Sequence, residues 1–248
     1  MNKTILITGA SRGIGAATAI LAAKKNYNVI VNYLRDKNSA EKITNEIQNI
    51  GSKAISIQGD ISSEKDVIKM FESGVNEFGY IDALVNNAGI LQTQMRLAEM
   101  PAERFEKIFS TNITGYFLCT REAIKRMSTK YGGSGGAIVN VSSVAAKTGS
   151  PGEYVDYAAT KGAIDSMTIG LAKEVAREKI RVNGVRPGFI YTDIHTSGGE
   201  PDRVNRIKEF IPMKRGGNPE EVANAILWLL SDEASFTTGT FIDVAGGI

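Results

Sequence analysis

The alternation of short apolar runs with longer amphipathic stretches is the feature that most constrains the fold of this chain. Such runs are rich in β-branched residues and nearly continuous in apolar character. This is typical of the strands of a parallel sheet, which are buried on both faces. Seven runs occur: TILIT (4–8), NVIVNY (28–33), AISIQ (54–58), ALVNN from Ala83, AIVNVS from Ala137, IRVNGVRP (180–187) and TFIDVAG from Thr240.

The stretches between the runs follow a helical period. In residues 38–52 and 63–79, apolar side chains recur every three to four positions, and a glycine near each end favours termination of a helix. Strands that alternate with helices predict an α/β fold of the Rossmann type. We expect a doubly wound, seven-stranded parallel sheet with helices on both faces. The length of 248 residues suits a single domain, 1–248.

Composition excludes several classes of function. The formal net charge is +2 and no basic run stands out, so neither nucleic acid nor a membrane is indicated as a partner. The single cysteine, Cys119, rules out an internal disulfide and a cysteine-cluster metal site, and no metal is predicted. No apolar run reaches the roughly 18 residues that span a bilayer. These observations predict a cytoplasmic protein.

A glycine-rich turn follows the first run directly. Gly9, Gly13 and Gly15 stand in ITGASRGIGAA (7–17), where the predicted strand passes into a helix. Glycines there permit a close backbone approach to a phosphate, and the helix N-terminus favours negative charge. The spacing is neither G-x-G-x-x-G nor that of a P-loop, and a plain tight turn is the alternative. Its place after the first strand predicts a dinucleotide site.

The end of the second predicted strand bears on which dinucleotide binds. An acidic residue usually binds the ribose 2′-hydroxyl of NAD at this point. Here Asn32 and Tyr33 occupy the position, Arg35 follows, and Arg12 lies in the glycine turn. Because guanidinium groups bind phosphate as rigid forks, this arrangement favours NADP(H). If both arginines are ordinary surface charges, the nearby Asp36 leaves NAD(H) as the less favoured alternative.

A tyrosine and a lysine are spaced for contact in SPGEYVDYAATKGA (150–163). Tyr157 precedes Lys161 by four residues, so the two side chains share one face of a helix, whereas Ala158 stands four residues after Tyr154. An ammonium group and a positively charged nicotinamide both favour the phenolate, whose unperturbed pKa is about 10. By itself, such a pair is more typical of a solvated helix face than of a catalytic site.

Several further motifs stand in a fixed order along the chain: TGASRGIG (8–15), GDIS (59–62), NNAG (86–89), STNITGYF (110–117), VNVSS (139–143), YAATK (157–161) and RPGFIYT (186–192). Together they resemble the short-chain dehydrogenase/reductase family over essentially the whole chain. The nearest resemblance is to bacterial glucose 1-dehydrogenase-like and 3-oxoacyl-(acyl carrier protein) reductase-like members. It implies an NAD(P)-dependent dehydrogenase or reductase that acts on CH–OH or C=O groups.

The resemblance also implies roles for individual residues. Tyr157 would be the general acid in reduction and the base in oxidation, with Lys161 tuning it and binding the nicotinamide ribose. Ser143 would bind the substrate oxygen, and Asn112 would hold a water that connects Lys161 to solvent. Ser142 is adjacent to Ser143, and neighbouring strand residues point to opposite faces, so only one can serve. The family pattern favours Ser143.

The predicted cofactor contacts combine the glycine turn, the second strand and the resemblance, which assigns Asp60 to the adenine and Thr192 to the nicotinamide carboxamide. They are Gly9, Ser11, Arg12, Gly13, Ile14, Gly15, Tyr33, Arg35, Asp60, Ile61, Asn87, Ala88, Gly89, Tyr157, Lys161, Pro187, Gly188, Ile190 and Thr192.

Residues 190–216 form the one long irregular segment, and we predict a substrate lid there, with a short helix in DRVNRIKEF (202–210). A floppy surface insertion is the alternative. We expect His195 to be a solvated loop residue, and Tyr154 either lines the pocket or only packs. The basic side chains of the lid are expected to form a solvated face rather than an anion site: Arg203, Arg206, Lys208, Lys214 and Arg215.

The predicted helix from about Tyr157 to Glu178 is small or apolar almost all round, which is typical of a helix buried on most faces. One side would pack on the sheet and another against a second copy. Together with the resemblance, this predicts a homotetramer with D2 symmetry. A non-catalytic NADP(H)-binding sensor on the same fold is the rival hypothesis, and the complete Ser143, Tyr157 and Lys161 set disfavours it.

Overall fold

The computed structural model describes residues 2–248, and one parallel sheet runs through it in the order β3-β2-β1-β4-β5-β6-β7. This confirms the predicted fold class. The strand limits differ from the apolar runs by only a residue or so at some ends. The strands are β1 (Thr4–Ile7), β2 (Asn28–Tyr33), β3 (Ala54–Gln58), β4 (Ala83–Asn86), β5 (Gly136–Val141), β6 (Ile180–Pro187) and β7 (Phe241–Val244).

Helices cover both faces of the sheet. The α-helical segments of residues 2–248 are α1 (Gly13–Lys24), α2 (Lys37–Asn49), α3 (Glu64–Phe78), α4 (Ala102–Phe109), α5 (Gly115–Met127), α6 (Ala145–Thr148), α7 (Val155–Val175), α8 (Ile194–Ser197), α9 (Arg203–Ile207) and α10 (Pro219–Leu230). Short 3₁₀ turns extend α7 over Ala176–Glu178 and α9 over Lys208–Phe210. The long helix therefore ends where the sequence predicts, and the short lid helix is present.

Two hydrophobic cores lie on opposite faces of the sheet. Ala19 of α1 and Ile226 of α10 belong to one core. Phe71 of α3, Cys119 of α5 and Ile164 of α7 belong to the other. The thiol of Cys119 is fully buried there, as expected for a small apolar group, and burial raises its pKa. In residues 2–248, no helix combines the length and the apolar character needed to cross a membrane.

The strand order positions the site. The chain runs outward from β1 through β2 to β3 and then returns to place β4 beside β1, with Ile7 opposite Val85. Ligands of doubly wound sheets bind outside the carboxyl ends of the strands, where the strand order reverses in this way. Residues 8–15 after β1 and 86–89 at the end of β4 meet at that point. We call these two segments the crevice.

Candidate active site

The glycine turn of the crevice lies tightly against the segment after β4. Gly9 has a φ of +61°, and a Cβ there would lie 2.9 Å from the Cα of Ala88. A Cβ on Gly15 would lie 2.6 Å from Asn87 Nδ2. The Asn87 amide donates to the main-chain oxygens of Thr8 and Gly9, at 2.9 and 3.1 Å. Only glycine fits at these two positions, because a side chain would collide with the neighbouring segment.

The N-terminus of α1 fits an anion. Arg12 is its N-cap residue and makes no side-chain cap hydrogen bond, and no acidic residue stands in the first turn. The first N–H groups of a helix lack intrahelical acceptors and carry partial positive charge. Gly13, with a φ of +55°, would bring a Cβ within 3.3 Å of Thr192 Cγ2. The residues present therefore suit a dinucleotide pyrophosphate, with Thr192 close beside the loop.

The end of β2 offers arginines rather than a carboxylate. Asn32 is buried, accepts from the N–H of Gly9 at 3.2 Å and donates to the oxygen of Gly59 at 3.1 Å, so it braces the crevice. Tyr33 is also buried, whereas the side chains of Arg12 and Arg35 are exposed.

Asp36, the residue on which an NAD site depends in this region, is committed to capping α2. Its oxygens accept from the N–H and Oγ of Ser39, at 2.9 and 2.6 Å. These hydrogen bonds, with a smaller contribution from the charge of Arg12, hold the pKa of Asp36 below its ordinary value. The carboxylate therefore has few acceptor positions left for a ribose.

The segment after β3 forms the outer end of the same edge. Asp60 Oδ1 accepts from the N–H and Oγ of Ser62, at 2.9 and 2.7 Å, and the N–H of Asp60 donates to Asp66. Ile61 is buried against Gly115 of α5. Asp60, predicted to contact the adenine, and Ile61, predicted as a further cofactor contact, thus lie in an ordered turn at the carboxyl end of the sheet.

Tyr157 and Lys161 share a face of α7, and the lysine Nζ lies 5.5 Å from the tyrosine ring centroid. Lys161 is buried, donates to the main-chain oxygen of Val141 at 2.8 Å and lies 3.5 Å from the hydroxyl of Tyr116. Burial lowers the pKa of Lys161 to about 7, and the charge of Asp165 opposes this. A pKa of about 7 makes both the charged and the neutral form of this lysine accessible near neutral pH.

Burial is also the main influence on the pKa of Tyr157. It raises the pKa of the phenol to about 12, and a hydrogen bond with the Ser143 hydroxyl opposes the rise. The expectation that the lysine lowers this pKa is not met by the protein alone. The physical reason is that Lys161 is itself desolvated and only partly charged near pH 7, so it exerts little pull on the phenol.

The two adjacent serines after β5 point in different directions. Ser142 is buried, and its Oγ donates to Asp165 Oδ1 at 2.6 Å and lies 3.2 Å from the main-chain oxygen of Lys161. Ser143 is partly exposed, and its hydroxyl is in hydrogen-bonding reach of Tyr157. The two serines thus meet different parts of α7: Ser142 contacts Asp165, and Ser143 contacts Tyr157.

Asn112 lies in a π-helical turn, Ser110–Thr114, between α4 and α5. Its amide is fully buried, with Oδ1 accepting from the N–H of Ile90 at 2.8 Å and Nδ2 donating to the oxygen of Ile90 at 3.0 Å. A Cβ on Gly89 would lie 3.5 Å from Asn112 Oδ1 and 3.8 Å from Lys161 Nζ. The asparagine and the lysine therefore border the same side of Gly89. Single π-helical turns recur at functional sites.

The end of β6 and the residues that follow it, 187–192, contain the remaining predicted cofactor contacts. The N–H of Gly188 donates to Val244 at 2.9 Å, and a Cβ on Gly188 would lie 2.9 Å from the Cα of Ala245. Ile190 is buried and pairs with Gly217, which holds both ends of the lid (residues 190–216) together. Pro187 at the end of β6 leads into this segment. Of the four residues predicted in this segment, Thr192 lies against Gly13 of the crevice.

The lid is fastened to the start of α7. The hydroxyl of Tyr154 donates to the oxygen of Gly198 at 3.1 Å, and a Cβ on Gly198 would lie 2.7 Å from Leu91. Arg203 forms an ion pair with Glu153 through its two terminal nitrogens, Nη1 and Nη2, and its Cζ lies 5.1 Å from the ring centroid of Tyr154. Tyr154 therefore packs and tethers the lid, three residues before Tyr157.

Two predictions about the lid were wrong. His195 is only partly exposed: its Nε2 lies 3.1 Å from the oxygen of Ile190, and burial lowers its pKa. Arg203 is not on a solvated face, since the Glu153 carboxylate and the rings of Tyr154 and Phe189 enclose it. Other basic side chains of the lid remain at the surface and have partners of their own: Arg206 with Glu200, Arg215 with Glu221, and Lys214 with the oxygen of Glu209.

Sequence reasoning missed two acidic residues beside the site. Asp165 repeats the four-residue spacing of Tyr157 and Lys161, and that signal was available in the sequence. Asp156 forms a buried ion pair with Arg104 of α4, at 2.7 and 3.2 Å, and Arg104 also donates to the oxygen of Thr93. No spacing in the sequence indicates the Arg104–Asp156 ion pair, since the two residues are 52 positions apart.

Comparison with known proteins agrees with this geometry. A sequence model described as enoyl-(acyl carrier protein) reductase matches residues 9–248. An uncharacterized oxidoreductase of Escherichia coli is 61% identical over 242 residues, which are 98% of each chain. A 3-oxoacyl-(acyl carrier protein) reductase of Staphylococcus epidermidis is 38% identical over 248 residues, 100% of this chain and 99% of its own.

Among solved structures, a 3-ketoacyl-(acyl carrier protein) reductase from Brucella melitensis, complexed with NADH, superposes with a TM-score of 0.91. The two chains are 36% identical, and the superposition covers 99% of this chain and 97% of the other. Sequence, fold and the arrangement of the crevice thus agree over nearly the full length, and this chain belongs to the short-chain dehydrogenase/reductase family of oxidoreductases.

Proposed function

We propose that the protein is an NADP(H)-dependent oxidoreductase that transfers a hydride between the nicotinamide and a carbonyl or secondary alcohol substrate, with Tyr157 as the general acid or base. The observation that carries the proposal is the meeting of Ser143, Tyr157 and Lys161 beside an anion-binding glycine turn. Residues 1–248 would act as one NAD(P)-binding domain, with the lid over the substrate.

Tyr157 and Ser143 would each act on the substrate oxygen during hydride transfer. The nicotinamide supplies the hydride when it is bound. Tyr157, whose pKa is raised to about 12, stays protonated at neutral pH and can give its proton to the developing alkoxide. Ser143 is within reach of the phenol and would hydrogen-bond the same substrate oxygen. In oxidation the deprotonated form of Tyr157, the phenolate, would accept the proton of the alcohol instead.

Lys161 and Asn112 would connect this step to solvent. Lys161 has a pKa of about 7, so it can pass a proton near neutral pH, and its ammonium would bind the ribose hydroxyls. Asn112 has its amide fixed by Ile90 and lies on the same side of Gly89 as the lysine. A water between these two groups would complete the route.

A panel of carbonyl compounds, followed at the NADPH absorbance band, tests the activity. We expect Tyr157→Phe to lower turnover by about a thousandfold, the range typical of a general acid, while the affinity for NADPH changes little. Substantial turnover in the variant would contradict the role of Tyr157. A wild-type protein that binds NADPH and reduces nothing would favour the sensor hypothesis.

The preference for NADP(H) over NAD(H) is supported by the exposed Arg12 and Arg35 and by the commitment of Asp36 to the cap of α2. A phosphate on the ribose 2′ position would meet the two guanidinium groups without a free carboxylate nearby. Comparison of KM for NADPH and NADH tests this, and a clear preference for NADH would reject it.

We also propose a homotetramer with D2 symmetry. Phe109 of α4, Phe117 of α5 and Ile169 of α7 are large apolar side chains with 39–49% of their surface exposed. Phe109 stacks on Phe105, with 6.2 Å between ring centroids, which widens the apolar area. Burial of such side chains against a second copy would remove them from water. A monomer in light scattering would overturn the proposal. The cytoplasmic location stays a prediction.

A further inference from the structure

A network of charged side chains begins one helical turn beyond Lys161. Asp165 follows Lys161 by four residues on α7, as Lys161 follows Tyr157. Its Oδ1 accepts from Ser142 Oγ at 2.6 Å, and its Oδ2 accepts from Arg186 Nε at 2.9 Å. The Arg186 and Asp165 side chains are only 14% and 15% exposed. Three elements, β5, α7 and β6, therefore fix this carboxylate.

Each partner of Asp165 adjoins a residue of the candidate site. Ser142 immediately precedes Ser143, and its Oγ lies 3.2 Å from the main-chain oxygen of Lys161. Arg186 immediately precedes Pro187, the last residue of β6 and one of the predicted cofactor contacts.

Arg186 is itself held from its far side. Its Cζ lies 3.8 Å from the ring centroid of Phe241, and its Nη1 lies 3.4 Å from Asp243 Oδ1. Asp243 in turn pairs with Lys147 of α6. The position of Asp165 thus rests on a packed arginine and does not depend on a mobile surface side chain.

The groups around the Lys161 ammonium leave Asp165 as its source of negative charge among residues 2–248. Tyr116 of α5 and Tyr157 of α7 face it, and burial raises the pKa of both phenols, so both are neutral near pH 7. From β5 it meets only the main-chain oxygen of Val141. Asp165 raises the pKa of Lys161 against the effect of burial.

We propose that Asp165 is a positioning residue for the reaction: held by Ser142 and Arg186 one turn beyond Lys161, its carboxylate favours the charged form of the buried Lys161 side chain beside Tyr157. The inference rests on the proposed role of Lys161 in the proton route. It adds a third member, one turn further along α7, to the Tyr157 and Lys161 pair.

The first test compares pH profiles of kcat/KM for Asp165→Asn and the wild type. Asparagine keeps the shape and an acceptor for Ser142 but loses the charge. We expect the alkaline limb to move to lower pH by about one unit, since loss of a nearby opposite charge disfavours the ammonium. Activity would then be about twofold lower at pH 6 and about tenfold lower well above the limb. Asp165→Glu, which restores the charge, should return the profile toward wild type. Superimposable profiles would overturn the proposal.

The second test needs no cofactor and measures the melting temperature against pH. The folded-state pKa of Lys161, about 7, lies below its unfolded value, so burial of the ammonium costs most below pH 7 and the cost falls as pH rises. Without the charge of Asp165 that cost is larger. We therefore expect Asp165→Asn to melt below the wild type by more at pH 6 than at pH 9.

Asp243→Asn is the matched control. It also removes a carboxylate from Arg186, but Lys161 is not among its contacts, so its effect on the melting temperature should be the same at pH 6 and pH 9. If the change in melting temperature caused by Asp165→Asn is also the same at pH 6 and pH 9, Asp165 is an ordinary ion-pair partner of Arg186 and the proposal is wrong. If the wild type reduces no carbonyl, the proposed function fails, while the melting series still tests the coupling of Asp165 with Lys161.

Discussion

The crevice and the lid are neighbours that are held by different kinds of contact. In the crevice, main-chain groups of the two segments pack directly against each other. A Cβ added to Gly9 would lie only 2.9 Å from the Cα of Ala88. The lid is fastened by side chains, namely the Arg203–Glu153 ion pair and the Tyr154 hydroxyl. Close main-chain packing tolerates almost no substitution, whereas a side-chain fastening can be altered singly. Cofactor binding should therefore be rigidly specified and substrate choice adjustable.

The largest expected effect breaks the crevice. Gly9→Ala places a Cβ against Ala88 at a φ of +61°, so we expect a loss of about 2–4 kcal/mol of unfolding free energy and a marked loss of NADPH affinity. Chemical denaturation and fluorescence titration measure the two quantities. The control is Gly162→Ala on α7, where a Cβ meets nothing within 4 Å and should be tolerated. Equal tolerance at both positions would remove the claim of tight packing.

A smaller effect concerns the arginine edge of the crevice. Arg35→Ala should raise KM for NADPH by about tenfold or more, because a charge-assisted hydrogen bond to phosphate is worth ~1.5–3 kcal/mol. KM for NADH should change little, since NADH lacks the 2′-phosphate. The ratio of the two KM values is the measurement. A parallel rise for both cofactors would mean that Arg35 does not distinguish them.

The lid should respond more mildly. Glu153→Gln leaves Arg203 without its charged partner, and we expect the carbonyl KM to rise by about five- to tenfold, while NADPH affinity stays the same. Steady-state kinetics and a cofactor titration separate the two. Glu200→Gln removes the carboxylate of the more exposed Arg206 pair and is the matched control, with a change of about twofold at most. A loss of NADPH affinity in Glu153→Gln would contradict the division between lid and crevice.

The smallest effect sharpens the comparison within the lid. Tyr154→Phe removes one hydrogen bond to Gly198, which is worth ~1 kcal/mol, and keeps the ring that packs on Arg203. The carbonyl KM should rise by about two- to fivefold and kcat should stay near that of the wild type. A collapse of kcat in this variant would instead make Tyr154 part of the chemistry.

How far the sequence predicts the site depends on the distance over which its contacts form. Tyr157 and Lys161 could be paired from the sequence because a helix places residues four apart on one face. The adjacent Ser142 and Ser143 could be predicted to diverge, but the residues alone do not state which face meets α7. The Arg104–Asp156 pair was beyond prediction, since it joins two helices through packing.

The sequence by itself determined the alternation of strands and helices, the strand-to-turn position of the glycines and the order of the family motifs, because these follow from short-range periodicity and backbone freedom. Tertiary structure decided the protonation of Tyr157 and Lys161, the burial of Arg203, the partial burial of His195, and the π-helical turn at Asn112. These properties depend on how much water the surrounding elements exclude and which distant groups they bring near. Neither quantity is encoded in the spacing of residues along the chain.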